Sequence, residues 1–243
     1  NPECVVLGRT CDISANLQPA SLAGQVISQR RSAWKKQTTI ARRVSGGGTV
    51  LHGPGNINYS IFLNMKHFPG LYNVRRSYEV ILGMIVRSLQ KQGLQVAMAG
   101  LSDLMVEGSP GRKISGNAQF RKYGLIVHHG TLLTNASLLH RVAEILRHPP
   151  REPDYRERRD HRDFLDTLPD HFDLTSFYNC LSSEVGSLAS AGDLKALDRT
   201  VLSRVFQRAR SLVRRLYSRP EWVFEGKVPD RDATKEEKCL VNT

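Results

Sequence analysis

Residues 42–60 read RRVSGGGTVLHGPGNINYS. Three consecutive glycines, Gly46, Gly47 and Gly48, stand just after Arg42, Arg43 and Ser45. A β-prone stretch, Thr49-Val50-Leu51, leads through His52 into a second turn, Gly53-Pro54-Gly55-Asn56. Glycine is needed where the backbone takes positive φ or approaches a ligand closely. Successive free N–H groups beside fixed arginines form a cradle for an anion. The stretch predicts a site for a phosphate- or carboxylate-bearing ligand. The bland alternative is a tight hairpin with arginines on its rim. Neither common nucleotide motif explains the run. GxxxxGK[ST] is missing, and Leu51 stands where GxGxxG needs its third glycine.

Three further segments narrow the reading. Val5-Val6-Leu7-Gly8-Arg9 is a short apolar strand ending in Gly-Arg, residues 112–119 read RKISGNAQ, and residues 128–133 read HHGTLL. Together, and in this order, they resemble the catalytic domain of lipoate–protein ligases, a family related to biotin–protein ligases and octanoyltransferases. The resemblance runs from about residue 3 to residue 170, with a weaker tail to Trp222. RRxSGGGxVxHxxGNxN and Lys-Ile-Ser-Gly-x-Ala-Gln are its specific motifs.

The chemistry of the residues agrees with that resemblance. Activating a carboxylic acid with ATP gives an acyl-adenylate and pyrophosphate. Negative charge gathers around the α-phosphate, so fixed donors matter more than acid–base groups. A compact ammonium on a flexible stem can follow that charge. The resemblance implies that Lys113 contacts the acyl-adenylate as the catalytic lysine. It implies nucleotide contacts for Arg43, Gly48, Thr49, Val50 and Leu51. Ser45, Gly46, Gly47, His52, Asn56, Ser115, Gly116, Ala118, His129 and Gly130 complete the expected substrate and ATP site. The implied cofactor is ATP with Mg2+, the metal lying near the phosphates, and lipoate is the implied substrate. His52, His128 and His129 suit satisfied histidines at strand ends. With neither HExxH nor CxxC in the chain, a structural zinc is disfavoured.

Four cysteines, Cys4, Cys11, Cys180 and Cys239, have no metal-ligand spacing. They suit reduced thiols in a cytoplasmic setting. Some acyltransferase relatives carry a nucleophilic cysteine before the Lys-Ile-x-Gly segment or shortly after HG. Neither place holds one here, which favours a lysine-assisted adenylate route over a thioester. Cys180 reads as a buried small hydrophobe. The hydrophobic content of 40% and charged content of 24% are ordinary for a globular chain. The apolar runs are too short to span a bilayer.

A net charge of +12 suggests nucleic acid at first. The basic residues are spread, however, and aromatics are only 7%. The clearest stripe is Arg204, Arg208, Arg215 and Arg219. Opposite it Leu194, Leu197, Val201, Val205, Leu212 and Leu216 form an apolar face with helical spacing. A solvated helix face and a dock for an acidic partner are the two readings. Lipoyl-carrier domains are commonly acidic, so the resemblance implies such an acceptor.

The pattern is mixed α/β. Strands are expected at 3–8, 38–43, 49–52, 57–64, 94–98, 103–107, 113–120 and 123–132. Helices are expected at 74–92, 135–147, 174–188 and 193–217, with a short one near 159–165 in the charged connection 150–172. The implied fold is the class II synthetase-like, biotin–lipoate ligase catalytic fold: a mixed, largely antiparallel sheet with surrounding helices. An apolar tunnel for an eight-carbon acyl chain is expected between sheet and helix. The catalytic domain is expected over residues 1–225, with a polar tail over 226–243. The family's usual first strand and helix would precede Asn1. No C-terminal accessory domain is expected, and a separate accessory subunit would supply it. The competing functions are an ATP-independent lipoyl or octanoyl transferase and a non-enzymatic nucleic-acid-binding or regulatory relative.

Overall fold

The computed structural model describes residues 3–21, 39–108, 111–188 and 198–229. In chain order the elements are β1 (Cys4–Leu7), α1 (Ile13–Asn16), β2 (Thr39–Arg42), β3 (Val50–His52), β4 (Asn56–Asn64), α2 (Val74–Gln90), β5 (Val96–Ala99), β6 (Asp103–Val106), β7 (Arg112–Lys122) and β8 (Leu125–Leu133). Then come α3 (Ala136–Ile145), α4 (His161–Phe164), α5 (Leu174–Leu188), α6 (Arg199–Leu212) and, after a π turn at Val213–Tyr217, α7 (Pro220–Glu225). Two compact units result. One comprises Asn1–Pro54, Arg141–Pro150 and Ala196–Thr243; the other comprises Gly55–His140 and Arg151–Lys195.

In the first unit β1 is the middle of a three-stranded sheet, parallel to β2 and antiparallel to β3. Val5 and Leu7 point inward and are buried, as period-two alternation requires. Leu216, Trp222 and Val223 make a separate small core, with Ile40, Val44, Tyr217 and Val228 packed on it. The expected polar tail is therefore anchored at its start. Gly226 takes φ +67 and its N–H donates to Trp222 O at 3.0 Å, ending α7. Residues 230–243 lie outside the described residues.

The second unit is built on an antiparallel sheet of order β4-β8-β7-β6-β5. The helix α2 starts at Asn73, whose side chain accepts from Arg76 N–H, and stops before Gly93, which takes φ +80. Both are ordinary helix-end chemistry. Tyr78, Ile81, Leu82, Ile85 and Leu89 form its buried face as the spacing predicts, with Met84 added; Val86 is only partly buried. They pack with α5 residues Phe177 and Leu181 against Ile61, Leu104, Ile114, Ile126 and Leu132. The layer expected to hold an acyl tunnel is this hydrophobic core.

Several differences from the sequence reading have physical causes. The strand expected from 123 begins at Leu125, because Tyr123 and Gly124 both take positive φ. They make the two-residue turn that joins β7 to β8. The helix expected over 193–217 is described only from Arg199, and Leu194 and Leu197 lie outside the described residues. The helix α6 has no buried residue: Val205 and Phe206 are exposed, and among the described residues of the predicted apolar face only Leu216, in the π turn, is buried. Cys180 is partly exposed rather than buried.

Candidate functional site

In the first unit, alternation along β2 separates the two arginines. Arg42 is buried and donates to the carbonyl oxygens of Gly8, Arg9, Cys11, Trp222, Val223 and Phe224 at 2.8–3.2 Å. Arg43 turns to the glycine run. Its Nη2 donates to Gly46 O at 2.7 Å and Gly48 O at 2.8 Å, its Nη1 to Val6 O at 3.3 Å, and its Nε to Ser45 Oγ at 3.1 Å.

That clamp orients the loop. In a planar trans peptide the N–H points opposite to the preceding C=O. Drawing Gly46 O and Gly48 O toward Arg43 aims the N–H groups of Gly47 and Thr49 away from it. Among the described residues, the N–H groups of Gly46, Gly47 and Gly48 donate to no carbonyl. Gly47 takes φ +88, which favours glycine. Gly8 allows the loop to sit close, since a Cβ there would collide with Gly47 O. A Cβ at Gly46 or Gly48 would meet nothing within 4 Å. Thr49 Oγ1 donates to Asn16 Oδ1 at 3.0 Å, Val50 is half-buried and Leu51 is buried. Burial, and then the nearby charge of Arg43, hold His52 below the usual imidazole range, because both disfavour the charged ring. Among the described residues no three His, Cys, Asp or Glu side chains gather as a cation site.

In the second unit, one sheet face carries Lys113. The β6–β7 register pairs Met105 with Lys113 and Leu104 with Ser115, so Ile114 is an extra residue. This bulge places Lys113 on the same face as Gly116, which simple alternation forbids. A Cβ at Gly116 would lie 3.1 Å from Lys113 Nζ, so the lysine stem lies across that glycine. Asp103 pairs with Gly116 in register, and its Oδ2 is 2.9 Å from Lys113 Nζ. Tyr155 donates its O–H to the same Oδ2 at 2.8 Å. Register puts Ala118, His129 and Asn56 on this face too, through the pairs Ala118–His129, Ser60–His129 and Asn56–Leu133, given the period of two. Ser115 and Gly130 belong to the opposite face. Ser115 is buried there, and a Cβ at Gly130 would collide with Asn117 Oδ1.

That opposite face holds a polar chain which sequence reading missed. Arg121 Nη1 donates to Gln119 Oε1 at 3.2 Å, and Gln119 Nε2 donates to His128 Nδ1 at 3.1 Å. His128 Nε2–H donates to Asn117 Oδ1 at 3.3 Å, and Asn117 Nδ2 donates to Ser102 O at 2.9 Å, next to Asp103. This is a consistent assignment of a neutral imidazole. Burial, then the neighbouring His129, push His128 down to about 3, again by disfavouring the charged ring. Tyr59 O–H also donates to Asn117 Oδ1, and burial pushes its phenol well up.

Asp103 and Tyr155 were missed as well. Asp103 sits in an ordinary strand pattern, and Tyr155 comes from the charged connection. That connection is ordered beside β7: Asp166 N–H donates to Lys113 O at 2.8 Å, and Arg159 Nη1 donates to Gly111 O at 2.9 Å. The guanidinium carbon of Arg156 lies 4.7 Å from the Phe164 ring centre, and that of Arg159 lies 5.3 Å from it. Both are within cation–π range. No local signal in the charged connection 150–172 singles out Tyr155.

Comparison with known proteins places this geometry. A model of the lipoyl protein ligase A/B catalytic domain matches residues 1–184, and the chain belongs to that family. Over 106 residues, 44% of the chain, it is 36% identical to the lipoate-protein ligase LplJ of Bacillus subtilis, covering 30% of that protein. Over 111 residues, 40% of the chain, it is 35% identical to the octanoyltransferase LipM of Oceanobacillus iheyensis, covering 40% of it. The chain thus spans about a third of the length of the curated relatives it matches. The fold resembles the bipartite lipoate protein ligase of Thermoplasma acidophilum, with TM-score 0.68 and 18% identity over 96% of this chain and 84% of the other. It also resembles a lipoate-protein ligase A solved with bound ATP, with TM-score 0.61 and 19% identity over 93% of this chain and 83% of that one. The fold is that of lipoate–protein ligase catalytic domains.

Proposed function

We propose that this chain activates lipoate or octanoate with ATP and passes the acyl group to a lysine of a lipoyl-carrier protein. The observation that carries the reading is the glycine run, whose carbonyls Arg43 holds inward and whose N–H groups have no carbonyl partner among the described residues. Such a cradle suits the phosphates of ATP, which supplies the leaving pyrophosphate when bound. Arg43 fixes the loop. Lys113 brings a mobile cation to the developing negative charge. Gly116, Ala118, His129 and Asn56 border it on the same face, and the histidines at positions 52 and 128 stay neutral near pH 7 by burial.

The Thermoplasma relative, a bipartite ligase studied with its E2 lipoyl domain, supports an acceptor of that kind and a separate accessory subunit here. Among the described residues no helix is long and apolar enough to cross a membrane. The similarity to LipM favours one second reading, acyl transfer without ATP. The test is to incubate the chain with ATP, Mg2+, lipoate and an apo lipoyl domain, with and without an accessory protein. Pyrophosphate release matched by lipoylation supports the ligase. Modification from an acyl-carrier donor alone, with no pyrophosphate, supports the transferase.

A further inference from the structure

The carboxylate of Asp103 is almost enclosed, its side chain 8% exposed, and Lys113 is its ion-pair partner. A lysine that must follow charge onto a substrate has to leave that carboxylate. A buried carboxylate stripped of its cation is strongly unfavourable unless other donors remain. The structure supplies one. Tyr155 O–H reaches the same Oδ2 that Lys113 Nζ occupies, at 2.8 Å against 2.9 Å. Ser102 Oγ reaches Oδ1 only at 3.4 Å.

The placement of Tyr155 is built in. Its ring lies 6.2 Å from the ring of Phe164, which is buried beneath Arg156 and Arg159. Its Cε1 comes within 2.8 Å of where a Cβ at residue 100 would stand, and Gly100 occupies that position with φ +57. Any other residue there would crowd the ring and strain the turn. Burial, and then the Asp103 charge, push the phenol far above its ordinary value. The hydroxyl therefore stays a donor throughout the working pH range.

We propose that Tyr155 is the positioning residue that makes Lys113 releasable: it keeps Asp103 hydrogen-bonded while the lysine swings from the carboxylate to the ligand. The proposal rests on the ligase reading for what the ligand is. It does not rest on that reading for the exchange itself, which the three side chains define. Tyr155 touches no reacting atom. Its loss locks Lys113 onto Asp103, slowing the steps that need the free ammonium and leaving ligand capture intact.

The test is a double-mutant cycle of Tyr155→Phe and Asp103→Asn, read in two ways. The first is the rate at which Lys113 is trinitrophenylated by trinitrobenzenesulfonate, followed by peptide mass spectrometry without any substrate. The second is lipoyl-adenylate formation. Tyr155→Phe is expected to slow labelling of Lys113 at least fivefold. It is expected to lower kcat for adenylate formation about tenfold, with KM for ATP and lipoate within twofold of wild type. In the Asp103→Asn background, where no charge needs a replacement donor, removing the hydroxyl is expected to change labelling less than twofold. Unchanged labelling in Tyr155→Phe, or the same loss in both backgrounds, would overturn the proposal. So would a Tyr155→Phe chain that no longer folds, since one hydroxyl would then act through stability. If labelling follows the cycle but wild type makes no adenylate, the ligase reading fails and the exchange stands.

Discussion

Arg42 and Trp222, 180 positions apart, exchange hydrogen bonds: Arg42 Nε donates to Trp222 O at 3.1 Å, and Trp222 Nε1 donates to Arg42 O at 2.9 Å. The indole is fully buried, with the Arg9 guanidinium carbon 4.8 Å from the ring centre. The strand entering the glycine run is thereby tied to α7. Trp222→Ala should cost about 3–5 kcal/mol of unfolding free energy. Arg42→Lys should cost more than about 2 kcal/mol, because an ammonium cannot reach six carbonyls and leaves buried acceptors unpaired. Urea unfolding measures both, and losses under about 1 kcal/mol for both would contradict this anchoring.

The glycine run should respond to single added side chains. Gly47→Val meets positive φ and should cost about 1–2 kcal/mol of stability. Its larger effect should be on binding of lipoyl-adenylate, weakened on the order of 10²-fold as the loop turns its donors away. Gly8→Ala should act the same way from outside the run, since its Cβ would collide with Gly47 O. Isothermal titration with the adenylate checks both; wild-type affinity in both variants would make the run a structural turn only.

The buried imidazole of His128 makes stability depend on pH with a definite sign. Its folded value, about 3, lies below the ordinary 6.5. The unfolded chain therefore binds the proton first. The His128 contribution to stability is complete above pH 6.5 and is lost as pH falls toward 3. The slope contributed in that window should approach about 1.4 kcal/mol per pH unit. Chemical denaturation across pH 4–8, compared with His128→Gln, checks it: the variant should show a flatter acid side.

Much of this was legible from local pattern, and the remainder depended on partners distant in sequence. Alternation and Gly/Asn punctuation located β1 to β8, and helical spacing located α2, α3 and α5. The start of α3 follows the expected bound at 135, with Ser137 N–H donating to Asn135 Oδ1 at 2.9 Å. The Ile114 bulge was illegible, because nothing in KISG distinguishes an extra residue from an ordinary one. Yet that bulge decides which predicted residues share the face of Lys113. Adjacent Arg42 and Arg43 look alike in sequence; only the pairing of β2 with β1 sends one inward and the other to the loop. Asp103 and Tyr155 meet across 52 positions, beyond the reach of any local pattern. The apolar spacing of α6 was real, but spacing does not say what covers a face.

The basic stripe should steer an acidic carrier. Arg204, Arg208 and Arg215 are exposed, whereas Arg219 is half-buried beside Glu221. Screening acts over about 8 Å at physiological ionic strength, so the encounter should slow as salt rises. Arg208→Glu with Arg215→Glu should lower the association rate about tenfold and leave adenylate formation unchanged. Stopped-flow transfer kinetics over a salt series reads this. A flat salt dependence, with no effect of the reversal, would make α6 a solvated face.

Lys113 carries the central claim, and pre-steady-state pyrophosphate release tests it most directly. Wild-type chain with ATP, Mg2+, lipoate and any required accessory protein should release one pyrophosphate per lipoyl-adenylate formed. Lys113→Ala should slow that release on the order of 10²-fold or more while its unfolding midpoint stays near wild type. Release within threefold of wild type in Lys113→Ala, or lipoylation of the carrier with no pyrophosphate from the wild-type chain, would contradict the account.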